Sequence, residues 1–181
     1  MKTLWFLFLS IIAACSSPKD TPATLPISDS SKTVLVTKDE PGDILVVSGT
    51  VYADDGITAV HGARMFVYHT DQKGYYSPEN DPRYPRIKGS LTTDSSGAYE
   101  FLTILPGAYP SGGNPAHIHF VVKHDGYFDA EPELLFDGDR YLKQEDYQRE
   151  AALGRFGSIR KLHKDSAGVS RCTFDIKLRK K

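Results

Sequence analysis

The chain has 181 residues, of which 40% are apolar and 11% aromatic, which is enough to bury the core of a single domain. It carries 22 basic and 23 acidic residues, a formal charge of -1. The charge becomes -2 if Lys2 leaves with a signal segment (21 basic minus 23 acidic). This balance argues against a nucleic acid partner, and the basic cluster KLRKK at the C-terminus is typical of a solvated tail.

The N-terminus has the pattern of an export signal. Lys2 precedes an 11-residue apolar run over residues 4–14, which is too short to span a bilayer as a mature helix. Cys15 follows Ile-Ala-Ala directly and looks like the lipobox cysteine of bacterial lipoproteins, which is acylated and becomes the new N-terminus. We therefore expect residues 1–14 to be a signal peptide and lipidated Cys15 to anchor the exported protein to a membrane. A plain cleaved signal is the alternative.

Residues 15–40 are predicted to form a disordered tether, because they are rich in Ser, Thr, Pro, Lys and Asp and show little apolar periodicity. The folded domain is then expected over residues 41–181. With Cys15 acylated, Cys172 has no partner for a disulfide, and its strand-like surroundings favour a small buried hydrophobic side chain.

The rest of the chain predicts an all-β sandwich. Short strand-like runs are separated by turn clusters such as ADDG, TDQKG and DSSG. A helix is predicted only over residues 141–153, in the C-terminal third. The predicted strands span residues 43–53, 63–69, 87–93, 98–104, 117–124, 133–136 and 171–178.

The segment NPAHIHFVVK carries the strongest functional signal. Residues two apart in a strand project from the same face, so His117 and His119 point their imidazoles to one side, with Ile118 and Phe120 on the other. This spacing suits a metal ion, although imidazole alone does not discriminate among zinc, copper, nickel and iron. The PGAYP turn just upstream adds Tyr109 eight positions before His117.

Taken together, SLTTDSSGAYEFLTILPGAYP and the following NPAHIHF resemble the core of the intradiol ring-cleavage dioxygenases, non-haem ferric enzymes that open catechols between the two hydroxyls. The resemblance extends upstream through SGTVYADDGITAVHGARMFVYHTDQKGYY and downstream to ELLFDGD, covering residues 46–139. It implies a β-sandwich of mixed topology. It also implies the cleavage of a catechol by O2 to a cis,cis-muconate, with the oligomeric state left open.

In that family, two tyrosines and two histidines hold Fe(III). A phenol has a pKa near ~10, so a strongly Lewis-acidic ion is needed to deprotonate it at neutral pH. The resemblance assigns the ligands, in chain order, to Tyr84 in NDPRY, Tyr109, His117 and His119. Tyr75 and Tyr76 in GYY are the alternatives to Tyr84.

Two positions depart from the family pattern. Many members have an arginine directly before PAHIHF where this chain has Asn114, and a glutamine where it has Glu133. We expect both residues at the catalytic site beside Tyr109, with Arg83 and Arg86 as possible replacements for the missing cation. Two other classes stay open: a zinc or copper protein using the histidines, and a non-catalytic surface module.

Overall fold

The computed structural model describes residues 28–181. The predicted signal peptide, the predicted lipidation site Cys15 and the first part of the tether lie outside the described residues. Within residues 28–181, no helix is both long and apolar enough to cross a membrane.

The described chain forms a sandwich of two β-sheets. Its strands are β1 Lys32–Val34, β2 Ile44–Tyr52, β3 Arg64–His69, β4 Ile87–Thr92, β5 Ala98–Ile104, β6 His117–Lys123, β7 Glu133–Phe136, β8 Ile159–Arg160, β9 His163–Lys164, β10 Ser170–Thr173 and β11 Ile176–Lys177. One α-helix, α1 Gln144–Ala151, is followed by a 3-10 turn at Gly154–Phe156.

Sheet I has the strand order β1-β5-β2-β10-β9, with β11 also paired to β2, and sheet II has the order β4-β3-β6-β7-β8. The pairs β1·β5, β2·β10, β2·β11 and β7·β8 are parallel, and the other pairs are antiparallel. The predicted fold class, an all-β sandwich with one short helix in the C-terminal third, is confirmed.

The core lies between the sheets and fixes the orientation of β6. Ile118, Phe120 and Val122 are at most 1% exposed on its inner face. The centroid of the Phe120 ring lies 5.9 Å from that of Phe101 in β5 and 5.2 Å from that of Phe174, between β10 and β11. Burying each such side chain contributes about 1.5–3 kcal/mol. The alternate residues of β6 must therefore face outward from sheet II.

The folded domain begins earlier than the predicted boundary at residue 41. Strand β1 pairs with β5, and Leu35 donates its backbone N–H to Leu102 O at 2.9 Å while its side chain joins the core. The tether prediction is therefore wrong for this stretch. The apolar run TVLV at residues 33–36 is too short to show a period in the sequence. In the fold it pairs with β5 at the edge of sheet I.

Two further differences concern the C-terminal part. The predicted strand 171–178 is divided into β10 and β11, where the Asp175 carboxylate turns back to accept the Thr50 N–H at 3.0 Å. Cys172 is buried as expected, and burial raises the pKa of its thiol to about 11. The helix is confirmed but is shorter at both ends than predicted.

Candidate metal centre

Strand β6 presents two histidines on the outer face of sheet II. The rings of His117 and His119 lie 4.5 Å apart and almost perpendicular. Their Nε2 atoms are 3.0 Å from each other. The alternation read from the sequence is confirmed, because Ile118 between them is fully buried on the opposite face.

The Nδ1 atom of each imidazole lies close to an acceptor oxygen. His117 Nδ1 lies 2.7 Å from Pro115 O, and a carbonyl can only accept, so this nitrogen carries the proton. His119 Nδ1 lies 3.2 Å from the Glu133 carboxylate, which also accepts. Both Nε2 lone pairs therefore point at the same place, an arrangement that is stabilised by a shared cation.

Two turns that pack backbone to backbone bring the tyrosines to this face. The turn after β3 places Gly74, with φ +87°, where an added Cβ would lie 2.0 Å from Ala108 O. A Cβ on Gly107 would lie 2.4 Å from Gln72 O, and Gly107 donates its N–H to Asp71 O at 2.8 Å. This close approach places Tyr76 beside Tyr109.

The two phenols complete a cluster of four donor atoms. The hydroxyl oxygens of Tyr76 and Tyr109 are 2.5 Å apart. Tyr76 Oη lies 2.7 Å from His119 Nε2, and Tyr109 Oη lies 3.0 Å from His117 Nε2. The cluster is the donor set of two phenols and two imidazoles that the resemblance implies.

The protonation states of the cluster restrict which cation it can bind. Burial raises the pKa of both Tyr76 and Tyr109, so the phenols are protonated unless a strong Lewis acid is present. Burial also lowers the pKa of His117, which keeps its imidazole neutral and its Nε2 free to bind a metal. Hard anionic oxygens with two imidazoles fit Fe(III).

The structure places Tyr76, and not Tyr84, in the cluster. Tyr84 is 69% exposed in the loop before β4, where its ring lies under the Arg83 guanidinium. Arg83 pairs with Asp81, and Arg86 pairs with Glu40 through its two terminal guanidinium nitrogens. The two arginines expected near the site are therefore engaged elsewhere.

A cleft of about 420 Å³ opens onto the cluster. Asn114 and Glu133 both line it, as the sequence predicts for residues near the substrate. The opposite wall comes from the segment that contains α1. The lining residues are Tyr109, Gly113, Asn114, Pro115, His117, His119, Glu133, Leu135, Tyr141, Leu142, Lys143, Asp146 and Arg149.

The sequence did not predict that charged side chains form the wall of the cleft opposite the histidines. Lys143, Asp146 and Arg149 are spaced three residues apart and therefore share one face of α1, from its N-cap at Lys143 to its last turn. Arg149 is held by Asp146 at 2.6 Å. This spacing could have shown that the three side chains act together, but only the folded chain shows that they face the histidines.

His69 has a structural role. It is fully buried, its Nε2 lies 2.6 Å from Thr103 Oγ1 of sheet I, and its Nδ1 donates to Thr70 O at 2.6 Å. Burial lowers the pKa of His69 to about 4. This neutral imidazole, at the end of β3, joins the two sheets through Thr103 of β5.

Curated relatives of this chain are dioxygenases. It is 32% identical over 122 residues to catechol 1,2-dioxygenase of Acinetobacter baylyi, covering 57% of this chain and 39% of that protein. It is 34% identical over 127 residues to the protocatechuate 3,4-dioxygenase beta chain of Burkholderia cepacia, covering 63% and 53%. The chain thus spans about two fifths to one half of the length of these relatives.

Solved structures share the fold. Catechol 1,2-dioxygenase from Acinetobacter sp. ADP1 superposes with a TM-score of 0.67 at 26% identity, covering 84% of this chain and 58% of that one. The dioxygenase domain of a carbohydrate-binding fusion protein from Streptomyces sp. SirexAA-E gives 0.63 at 23% identity, covering 91% and 98%. The family profile described as Dioxygenase matches residues 17–180. The chain therefore belongs to the intradiol dioxygenase family.

Proposed function

We propose that this protein uses Fe(III) to cleave a catechol-type aromatic with O2 between its two hydroxyls, giving a cis,cis-muconate. The observation that carries the proposal is the convergence of the donor atoms of Tyr76, Tyr109, His117 and His119 within hydrogen-bond distance of one another. When bound, the ferric ion supplies Lewis acidity that favours the deprotonated forms of the phenols and of a catechol.

The two tyrosines differ in access to the cleft. Tyr76 is 4% exposed and is held between Tyr109 and His119, which suits a permanent ligand. Tyr109 is partly exposed and lines the cleft. We assign to its Oη, which would be deprotonated when the ferric ion is bound, the acceptance of one catechol proton, because Tyr109 is the tyrosine of the cluster that lines the cleft.

The lining of the cleft would position the aromatic ring. Pro115, Leu135 and Leu142 supply apolar surface, and Asn114 offers an amide. The loss of a preorganised charged donor at such a position costs about 2–4 kcal/mol of barrier. We therefore propose slower turnover of simple catechols than in an enzyme with arginine at this position.

Tyrosine substitution with a matched control tests the proposal. Ferric-reconstituted protein should be red to burgundy, because tyrosinate bound to Fe(III) gives a charge-transfer band in the visible. Tyr76→Phe should weaken this band and reduce the rate of catechol-dependent O2 uptake, whereas Tyr84→Phe should change neither. A colourless, zinc-loaded protein that stays inactive after ferric reconstitution would favour the other-metal alternative.

For the N-terminal segment, the sequence supports a second proposal about location. The Ile-Ala-Ala-Cys motif after an apolar run supports export and acylation of Cys15, which would anchor the dioxygenase domain to a membrane on its outer side. Catechols that reach the cell surface or periplasm would then be its substrates.

A further inference from the structure

His119 is held from both neighbouring strands of sheet II. In the registers of β3·β6 and β6·β7, it stands directly opposite Tyr68 on one side and Glu133 on the other. Directly opposite residues on one face have Cβ atoms about 4.5–5.5 Å apart in antiparallel sheets. The three side chains therefore form one row across the outer face of the sheet.

The two neighbours constrain different motions of the ring. Tyr68 stacks on the His119 imidazole, with centroids 4.6 Å apart and planes at 17°, which fixes the plane of the ring. The Glu133 Oε1 atom lies 3.2 Å from Nδ1, which fixes the rotation of the ring within that plane. Nε2 then points at the Tyr76 hydroxyl, 2.7 Å away.

The two histidines differ in the acceptor behind them. His117 donates Nδ1–H to the backbone carbonyl of Pro115, a neutral group, at 2.7 Å. His119 Nδ1 instead faces the Glu133 carboxylate at 3.2 Å, and an ionised acceptor makes a hydrogen bond about twice as strong as a neutral acceptor does. A carboxylate behind a ligating imidazole raises the basicity of the nitrogen that faces the metal.

We propose that Glu133 is a positioning residue whose carboxylate makes His119 a stronger donor to the metal than His117. This inference rests on the proposed ferric site and deepens it, because it names the group that tunes one ligand. A stronger nitrogen donor stabilises Fe(III) relative to Fe(II). Glu133 thus acts through His119, in addition to lining the cleft.

The test removes the charge but keeps the hydrogen-bond acceptor. Glu133→Gln is compared with Glu131→Gln, which removes the same charge from an exposed side chain two residues earlier. At pH 7.5, Glu133→Gln should weaken Fe(III) binding by about 10–100-fold in a chelator competition. It should also shift the charge-transfer band to longer wavelength and raise the Fe(III)/Fe(II) potential. Glu131→Gln should leave all three unchanged.

Equal effects of Glu133→Gln and Glu131→Gln would overturn the proposal, because they would show a general charge effect. The metal-free protein supplies a readout that does not depend on iron. Long-range ¹H–¹⁵N spectra of wild type should show His119 protonated at Nδ1, and Glu133→Ala should give a mixture of tautomers. A His119 protonated at Nε2 in wild type would overturn it.

These arms separate the two proposals. If ferric reconstitution of wild type gives no tyrosinate band, the proposed ferric function fails, and the hold of Glu133 on His119 is still decided by the tautomer spectra. If the band appears and Glu133→Gln leaves it unmoved, the ferric function stands and the tuning role fails.

Discussion

Acidification should destabilise the metal-free protein through His69. Its pKa of about 4 in the fold lies below the ordinary value of 6.5, so the native state binds fewer protons than the unfolded chain between these two pH values. The free energy of unfolding therefore rises with pH in this window and is lost as pH falls from 6.5 to 4. The difference in pKa corresponds to about 3 kcal/mol.

Urea unfolding at a series of pH values between 4 and 7.5 measures this loss. Carboxylates with lowered pKa values and His117 also lose stabilising interactions in acid, so the comparison with His69→Gln isolates the contribution of His69. The variant should be less stable at pH 7.5 and should show a flatter dependence on pH. Equal pH dependence in wild type and His69→Gln would refute the assignment of a neutral, buried imidazole linking the sheets.

Three further predictions concern the site loops, the cleft and the anchor. Gly74→Ala should cost more stability than Gly62→Ala by about 1–3 kcal/mol in urea unfolding, because both have positive φ but only Gly74 faces a backbone oxygen. It should also weaken ferric binding, and equal costs would contradict the packing of the two turns. Asn114→Arg should change kcat/KM for a catechol by about tenfold, and by more in the Glu133→Gln background, where no carboxylate captures the guanidinium. Additive, near-neutral effects would remove both residues from the substrate site. Cys15→Ser should abolish metabolic labelling with a fatty acid, and label that persists would contradict the lipoprotein prediction.

Much of the fold could be predicted from local patterns. Some strands alternate apolar and polar residues between clear turn clusters, because one buried face imposes a period of two. For most of these strands, the predicted ends lie within one or two residues of the ends in the structure. His117 and His119 followed from the same period. The short strands β1, β8 and β9 were missed, since two or three residues show no period and owe their pairing to the sheets they join.

The fourth donor could not be selected from local patterns. Tyr76 and Tyr84 both lie in turn-rich sequence, and nothing in either segment says which one reaches the histidines. The choice depends on the contact between two distant turns, where Gly74 packs on Ala108 and carries Tyr76 to Tyr109. Such contacts join residues more than 30 positions apart and are settled only by the tertiary fold.

The cleft wall illustrates the same limit. The sequence predicts the helix that follows β7, and the loss of the family arginine at Asn114 directs attention to other cations. Arg83 and Arg86 were the nearest candidates along the chain, but both form ion pairs away from the cleft. Lys143 and Arg149 face it instead, because they line the same cleft as His117 and His119.

A single turnover of catechol under ¹⁸O₂ by ferric-reconstituted wild-type protein, followed by mass spectrometry of the product, tests cleavage between the two hydroxyls. We expect cis,cis-muconate with both labelled oxygen atoms, one at each new carboxylate. A product opened beside the two hydroxyls instead of between them, or catechol recovered unchanged from protein with an intact tyrosinate band, would contradict this expectation.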